Sequence, residues 1–162
     1  KNATFWTNPE HWGWATKPNA REKASFLKEN LLPMEESGQL RFVDVPDGHF
    51  ASDSALGFGI RFVNGHTEKQ MLPTLKYQDK TVVFVADLVP TVGHIPLPYV
   101  MGYDTRPLLT LDEKRIFLDE AAENDYYLFF EHDAHNEICT LKQTEKGVRL
   151  DTVHRFDEIF TS

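Results

Sequence analysis

Three side chains that can bind a metal each follow a segment with the composition of a buried strand. His66 comes after GFGIRFVNG, Asp87 after TVVFVA and His132 after YLFFE. Side chains at the ends of adjacent strands can converge on one point, because the sheet fixes their geometry. Histidine and carboxylate ligands suit zinc and other first-row metals. We therefore predict that the three residues contribute to one metal site.

Each of these residues also has an ordinary structural interpretation. His66 follows Gly65, which allows a sharp turn back over the strand ends, but it could equally be a loop histidine without a role. Asp87 could be a helix cap or a salt-bridge partner, since an unpaired charge near a core is costly. His132 could be a hydrogen-bonded core histidine, and the other charges of FFEHDAHNE are interpreted as a turn into solvent. The residues alone leave these alternatives open.

The elements that must position these side chains are short apolar strands and a few helices. An Asn-Pro pair at residues 8–9 predicts a helix start, and residues 19–30 have a helical pattern. The strongest helical pattern begins near Thr110 or Asp112, either of which could cap it. Its predicted apolar face consists of Ile116, Phe117 and Ala121. The order of strands and helices favours sheet layers with helices outside them.

The composition limits the classes of partner. The chain has 162 residues, enough for one domain, and a net charge of -8, which disfavours nucleic acid and anionic membranes. No segment is long and apolar enough to span a bilayer. A single cysteine, Cys139, excludes an internal disulfide and is consistent with a cytoplasmic location.

Three motifs, taken in order, resemble a known family. NGHT, FVADLVPT and FFEHDA resemble the later half of a metallo-β-lactamase-fold hydrolase, with the lactonase-like subgroup most similar. The separations of 21 (87 − 66) and 45 (132 − 87) residues fit that family, as do the long loop VPTVGHIPLPYVMGYDTRPL and the helix after it. The resemblance implies an α+β fold, half of a four-layer αββα sandwich with mixed sheets and outer helices. Residues 1–162 would then be the C-terminal part of a single domain.

The resemblance also implies a mechanism and a set of site residues. His66 would be the terminal ligand of one metal, His132 that of the other, and Asp87 the bridging, catalytic carboxylate. Two divalent ions, with zinc expected, would activate a hydroxide that attacks an ester, lactone or related bond in a small-molecule substrate. His94, in the proline-rich loop, would be a substrate-binding residue. The metal and the substrate stay open at this level.

One departure from the family pattern decides what this chain can do alone. The family carries an H-x-H-x-D-H motif in its first half, and none of the seven histidines here forms it. These are His11, His49, His66, His94, His132, His135 and His154. We therefore expect a hydrolase that needs an N-terminal half, from a longer chain beginning before Lys1 or from a complementing chain. The alternative is a non-catalytic binding or scaffold module, in which His49 and His154 would be structural.

Overall fold

The computed structural model describes residues 2–46, the backbone of residues 50–51, and residues 54–160. His49 lies outside these ranges. The strands are β1 (Phe5–Thr7), β2 (Leu40–Phe42), β3 (Phe50–Ala51), β4 (Gly59–Val63), β5 (Gln70–Tyr77), β6 (Lys80–Phe84), β7 (Tyr127–Phe129), β8 (Ile138–Lys142) and β9 (Arg149–His154). The helices are α1 (Pro9–Thr16), α2 (Lys28–Glu36), α3 (Pro107–Glu123) and α4 (Phe156–Ile159).

Strands β3 to β9 form one mixed sheet of seven strands, arranged in the order of the chain. Among its described strands, β6 and β7 are the only parallel neighbours, and the other pairs are antiparallel. A parallel pair needs a crossover connection, which α3 supplies between β6 and β7. Strand β4 runs in the same direction as β6, because each is antiparallel to β5. The carboxyl ends of β4, β6 and β7 therefore lie at one edge of the sheet.

Helix α3 covers one face of this sheet. Its buried residues Phe117, Leu118 and Ala121 pack against Val83 of β6 and Leu128 of β7 in the main hydrophobic core. The opposite face carries two smaller apolar clusters, one beside the N-terminal segment and one beneath α4. The predicted α+β class, with mixed sheets and outer helices, is confirmed. Within the described residues, no helix is both long and apolar enough to cross a membrane.

Two predictions about the helices are wrong in detail. Helix α3 begins at Pro107, so Thr110 is a buried residue inside the helix rather than its cap, and Ile116 is 58% exposed. The predicted helix over residues 19–30 is replaced by turns over residues 20–25, and only residues 28–30 are helical, as the start of α2. At the start of these turns the Asn19 side chain accepts hydrogen bonds from the backbone of Arg21 and Glu22. The Asn-Pro prediction is confirmed, since Asn8 caps α1 by accepting from the backbone of His11.

Candidate metal centre

The structure brings His66, Asp87 and His132 together at one edge of the large sheet. Each lies three residues beyond its strand: 66 − 63 for β4, 87 − 84 for β6 and 132 − 129 for β7. The Nε2 atom of His66 lies 3.6 Å from Oδ2 of Asp87, and Nε2 of His132 lies 3.1 Å from Oδ1. The two oxygens of one carboxylate thus face two different imidazoles. This arrangement suits a carboxylate that bridges two cations.

Asp87 is held by its backbone and by a neighbouring amide. It lies in a 3₁₀ turn, Ala86–Leu88, that directly follows β6, and Ala86 has a φ of 43°. A non-glycine residue in the left-handed region is strained, and such strain concentrates at functional sites. The amide of Gln70, the first residue of β5, donates to Asp87 Oδ2 over 2.8 Å. Both features fix the direction in which the carboxylate points.

His132 is not a core histidine. Its side chain is 49% exposed, whereas those of Asp87 and His66 are each 19% exposed. The ring reaches Asp87 from the turn after β7, so the exposed face of the imidazole borders open space. The interpretation of His132 as a buried structural histidine is therefore wrong.

His66 is held from the side of α3. The Glu113 carboxylate accepts from the backbone N–H groups of Asn64 and Gly65, over 2.8 and 2.9 Å. The backbone N–H of Thr105 donates to the His66 carbonyl over 3.1 Å. The Nδ1 atom of His66 lies 2.9 Å from Oδ1 of Asp104. Backbone and ring are thus fixed by separate contacts.

The electrostatic surroundings of His66 favour a cation. Burial lowers the pKa of the His66 ring, but the hydrogen bond to Asp104 and the nearby carboxylate charges raise it above its usual value overall. Those charges belong to Asp87, Asp104 and Glu22. A site with this excess of negative charge stabilises a proton in the absence of a metal, and for the same reason it favours a divalent ion.

Glycine is required at position 65 by a close contact with α3, and not by the sharp turn that the sequence suggested. The Gly65 backbone is not in the left-handed region, so a turn does not demand glycine here. Instead, a Cβ atom at this position would lie 2.4 Å from the backbone nitrogen and 2.5 Å from the Cα of Thr110. Glycine therefore lets the loop that carries His66 contact the first turns of α3.

Glu131 and Asp104 are candidate site residues that the sequence analysis did not identify. One carboxylate oxygen of Glu131 lies within 4.8 Å of ligand atoms of both Asp87 and His132. The sequence signal for Glu131 was its position directly before His132, but it was assigned to a solvated turn. That assignment holds for Asp133, whose carboxylate accepts from the backbone of His135 and Asn136.

His94, the predicted substrate-binding residue, lies in the loop after β6. It ends a short 3₁₀ turn, Val92–His94, and its Nδ1 lies 2.9 Å from the hydroxyl of Thr91. It does not lie among the described residues that line the cleft beside Asp87. Burial and the charge of Lys114 lower the pKa of the His94 ring, against the opposing charge of Asp104. Substrate binding by His94 stays a prediction.

An open cleft of about 1160 Å³ adjoins the candidate ligands. Its walls include the apolar side chains of Trp6, Phe26, Met71 and Met101. The histidine and carboxylate side chains of the site lie on the same cleft. The arrangement can therefore present the apolar part of a small molecule to a charged centre.

The loop beside the cleft is held by a buried lysine. Lys114 of α3 is fully buried, and its Nζ donates to the carbonyls of His94, Pro96 and Tyr99 over 2.9, 3.3 and 2.6 Å. Lys114→Met should lower the free energy of unfolding by roughly 2–4 kcal/mol, because buried carbonyls would lose their donors. Urea unfolding measures this loss, and Lys146→Met, at an exposed position, is the control. Equal stability of both variants would contradict the assigned role.

The same lysine predicts a pH dependence of stability. Burial lowers the pKa of Lys114 to about 8, from an ordinary value of 10.5. Between these values the unfolded chain binds more protons than the folded one, so the free energy of unfolding should rise with pH. As the pH rises from about 8 to about 10.5, wild type should gain this contribution to its free energy of unfolding, and Lys114→Met should lack it. Parallel curves for the two proteins would contradict the shift.

No protein-family model and no curated protein sequence matches the chain. Several solved structures are similar to the chain. A probable metal-dependent hydrolase from Staphylococcus aureus is 21% identical, with a TM-score of 0.73, over 94% of this chain and 52% of the other. AidC, a dizinc quorum-quenching lactonase in complex with a product, is 18% identical, with a TM-score of 0.70, over 96% and 56%. AbOPH, a hydrolase in the β-lactamase superfamily, is 17% identical, with a TM-score of 0.72, over 96% and 57%.

The three solved structures indicate the same fold for this chain. The similarities extend over nearly all of the described fold, and the chain spans about half the length of each of the three proteins. At such identities the similarity establishes the fold, while the chemistry has to be argued from the site. The chain therefore has the fold of the metallo-β-lactamase superfamily hydrolases, over about half of their length.

Proposed function

We propose that this chain is the C-terminal part of a metal-dependent hydrolase that acts on an ester, lactone or related bond. The observation that carries the proposal is the geometry of Asp87, whose two oxygens face His66 and His132 from a strained turn at the edge of the sheet. Strand ends that point three ligand-type residues at one place are typical of a built site. The solved lactonases and hydrolases with this fold support the same class of chemistry.

The donor set fits divalent metal ions. His66 and His132 offer imidazole nitrogens, and Asp87 and Glu131 offer carboxylate oxygens, which together suit zinc. Bound metal would supply a hydroxide at neutral pH and polarise the substrate carbonyl. Asp87 orients the site through its two oxygens, and Gln70 restrains one of them. The apolar wall of the cleft holds the rest of the substrate and excludes water from it.

We further propose that a second part of the domain completes the site. Even with Glu131 beside His132, one imidazole per metal and the shared Asp87 carboxylate are too few ligands for tight binding. The missing ligands would come from an H-x-H-x-D-H motif, in the N-terminal half of the same domain or in a complementing chain. Residues 1–162 would then be the C-terminal part of one metallo-β-lactamase-like domain.

Exposed surfaces of the small sheet and of α2 support the same proposal. Strands β1 and β2 form a parallel sheet of only two strands, an arrangement that is marginal by itself. Phe5 and Phe42 on these strands are 39% and 44% exposed. Helix α2 has no buried residue along its length. A second half that extends the small sheet and covers these surfaces would account for all of them.

The substrate we propose is a small ester or lactone with an apolar portion, because the cleft combines apolar walls with a charged end. A cytoplasmic location also stays a proposal, and it rests on the single cysteine. Cys139 is buried, and burial raises the pKa of its thiol to about 12, which leaves it unreactive.

A non-catalytic binding or scaffold module is the second candidate function. One observation favours it: the 162 residues contain no H-x-H-x-D-H motif. In that case the cleft would bind a small molecule or a partner without hydrolysing it.

The two functions are separated by protein purified from its native source. Denaturing intact-mass analysis would show whether an additional polypeptide segment accompanies the 18.7 kDa chain. The same material would be assayed for zinc content and for hydrolysis of an N-acyl homoserine lactone and a p-nitrophenyl ester. We expect added mass, bound zinc and hydrolysis together. A species of 18.7 kDa alone, folded and inactive on both substrates, would favour the binding module instead.

A further inference from the structure

Asp104 is a buried carboxylate whose location the fold alone does not explain. It lies in the loop before α3, and the residue is 4% exposed with a fully shielded side chain. Its Oδ1 lies 2.9 Å from Nδ1 of His66. Its Oδ2 is buried and has no hydrogen-bond partner among the described residues. A buried carboxylate that is only partly hydrogen-bonded destabilises the fold, so packing does not account for its presence here.

The chemistry of this contact dictates which ring nitrogen of His66 holds a proton. An ionised carboxylate only accepts hydrogen bonds, so Nδ1 of His66 must be the donor. In the neutral ring, Nε2 then carries a lone pair, and this atom faces Asp87 at 3.6 Å. A neutral ring with a free Nε2 is the form that binds a metal. Asp104 thus selects the form of His66 that the proposed site needs.

The loop that carries Asp104 is fixed on both sides. Before Asp104, Lys114 holds the carbonyls of residues 94, 96 and 99. After it, the backbone N–H of Thr105 donates to the carbonyl of His66 itself. The backbone N–H of Asp104 donates to the Met101 carbonyl over 3.1 Å. These contacts therefore hold the Asp104 carboxylate and the His66 imidazole in fixed relative positions without a bound metal.

We propose that Asp104 is a positioning residue, which holds His66 as the Nδ1–H tautomer with Nε2 directed at the metal. The proposal rests on the proposed role of His66 as a metal ligand. Asp104 touches neither metal nor substrate in this scheme and acts only through His66. Its effect should appear in the state of the His66 ring even when no metal is bound.

The first test is long-range ¹H–¹⁵N NMR of the histidine rings in the metal-free, ¹⁵N-labelled complete protein. In the neutral wild type, His66 should be protonated at Nδ1. Asp104→Ala should release the ring toward the Nε2–H tautomer. Asp104→Asn should keep the wild-type tautomer, because the amide oxygen can still accept from Nδ1. Asp133→Ala is the matched control: this carboxylate follows His132 but bonds to backbone and Asn136, and the His66 ring should not change.

The second test is zinc affinity, measured by competition with a chromophoric chelator. Asp104→Ala should weaken zinc binding roughly 10- to 100-fold, the usual effect of removing a carboxylate behind a ligand histidine. Asp104→Asn should lie between wild type and Asp104→Ala, because a neutral acceptor polarises the ring less. Asp133→Ala should bind zinc like wild type.

Two results would overturn the proposal, and a third would overturn the function on which it rests. An Nε2–H tautomer in wild-type His66 contradicts it without any variant, even if Asp104→Ala does not fold. An unchanged tautomer and zinc affinity in Asp104→Ala contradicts it too, provided that His66→Ala loses zinc. If instead His66→Ala binds zinc normally while the tautomer still depends on Asp104, the positioning contact stands and His66 is removed from the metal site.

Discussion

Asp87→Ala should abolish both metal binding and hydrolysis in the complete protein. Both imidazoles face this one carboxylate, so its loss would remove a shared ligand from the proposed two-metal site. Without the metals there is no activated hydroxide, and the rate should fall by roughly three orders of magnitude or more. Zinc content by elemental mass spectrometry and hydrolysis of the lactone probe would be measured on the same sample.

The control for this variant is Asp112→Ala, which removes a carboxylate that is 68% exposed on α3. Its zinc content and rate should match the wild type. A full complement of zinc in Asp87→Ala would contradict the bridging role of this residue. Circular dichroism would show whether Asp87→Ala is folded. If this variant loses its fold as well as its zinc, Asp87→Asn is measured in its place, because it keeps the shape of the side chain.

Gly65→Ala should strongly lower the free energy of unfolding, although it removes no proposed ligand. The added methyl group would lie within 2.5 Å of backbone atoms of Thr110, and backbone cannot move aside as a flexible side chain can. We expect the free energy of unfolding to fall by about 3 kcal/mol, the upper part of the usual range for overpacking. The loop that carries His66 should be displaced as well, so zinc binding should weaken. Urea unfolding and zinc competition measure the two effects.

Gly13→Ala is the matched control for this substitution. A Cβ atom at Gly13 would meet nothing within 4 Å, and the position lies inside α1. This variant should be as stable as wild type or slightly more stable, because alanine favours a helix over glycine. Equal stability of Gly65→Ala and Gly13→Ala would show that α3 and the His66 loop do not pack as closely as described.

The meeting of His66, Asp87 and His132 could be predicted from the sequence because of one regularity. Each residue follows an apolar strand at the same distance, and strands β4, β6 and β7 run in the same direction. The alternation of side chains and the apolar composition of a segment indicate a strand. The end of that strand fixes where the next side chains lie. The same pattern favoured sheet layers with helices outside them, and the α+β class came from the resemblance to a known family.

Other parts of the site depend on contacts between distant segments, which no local pattern encodes. Asp104 reaches His66 across 38 residues because the loop between β6 and α3 folds back over the sheet edge. Gly65 is needed because α3 lies against it, and that contact appears only in the folded chain. The helix predicted over residues 19–30 is mostly replaced by turns, because the Glu22 carboxylate in this segment accepts from Trp14 and Thr67, and such tertiary contacts override a weak apolar periodicity.

The most direct test of the proposed metal site is anomalous diffraction at the zinc edge, from zinc-loaded crystals of the complete protein. The account predicts a zinc peak at about 2.0–2.2 Å from an Asp87 carboxylate oxygen and from Nε2 of His66 or His132. Zinc bound only at other surface histidines, with none at Asp87, would contradict the central claim that these strand ends form a metal site.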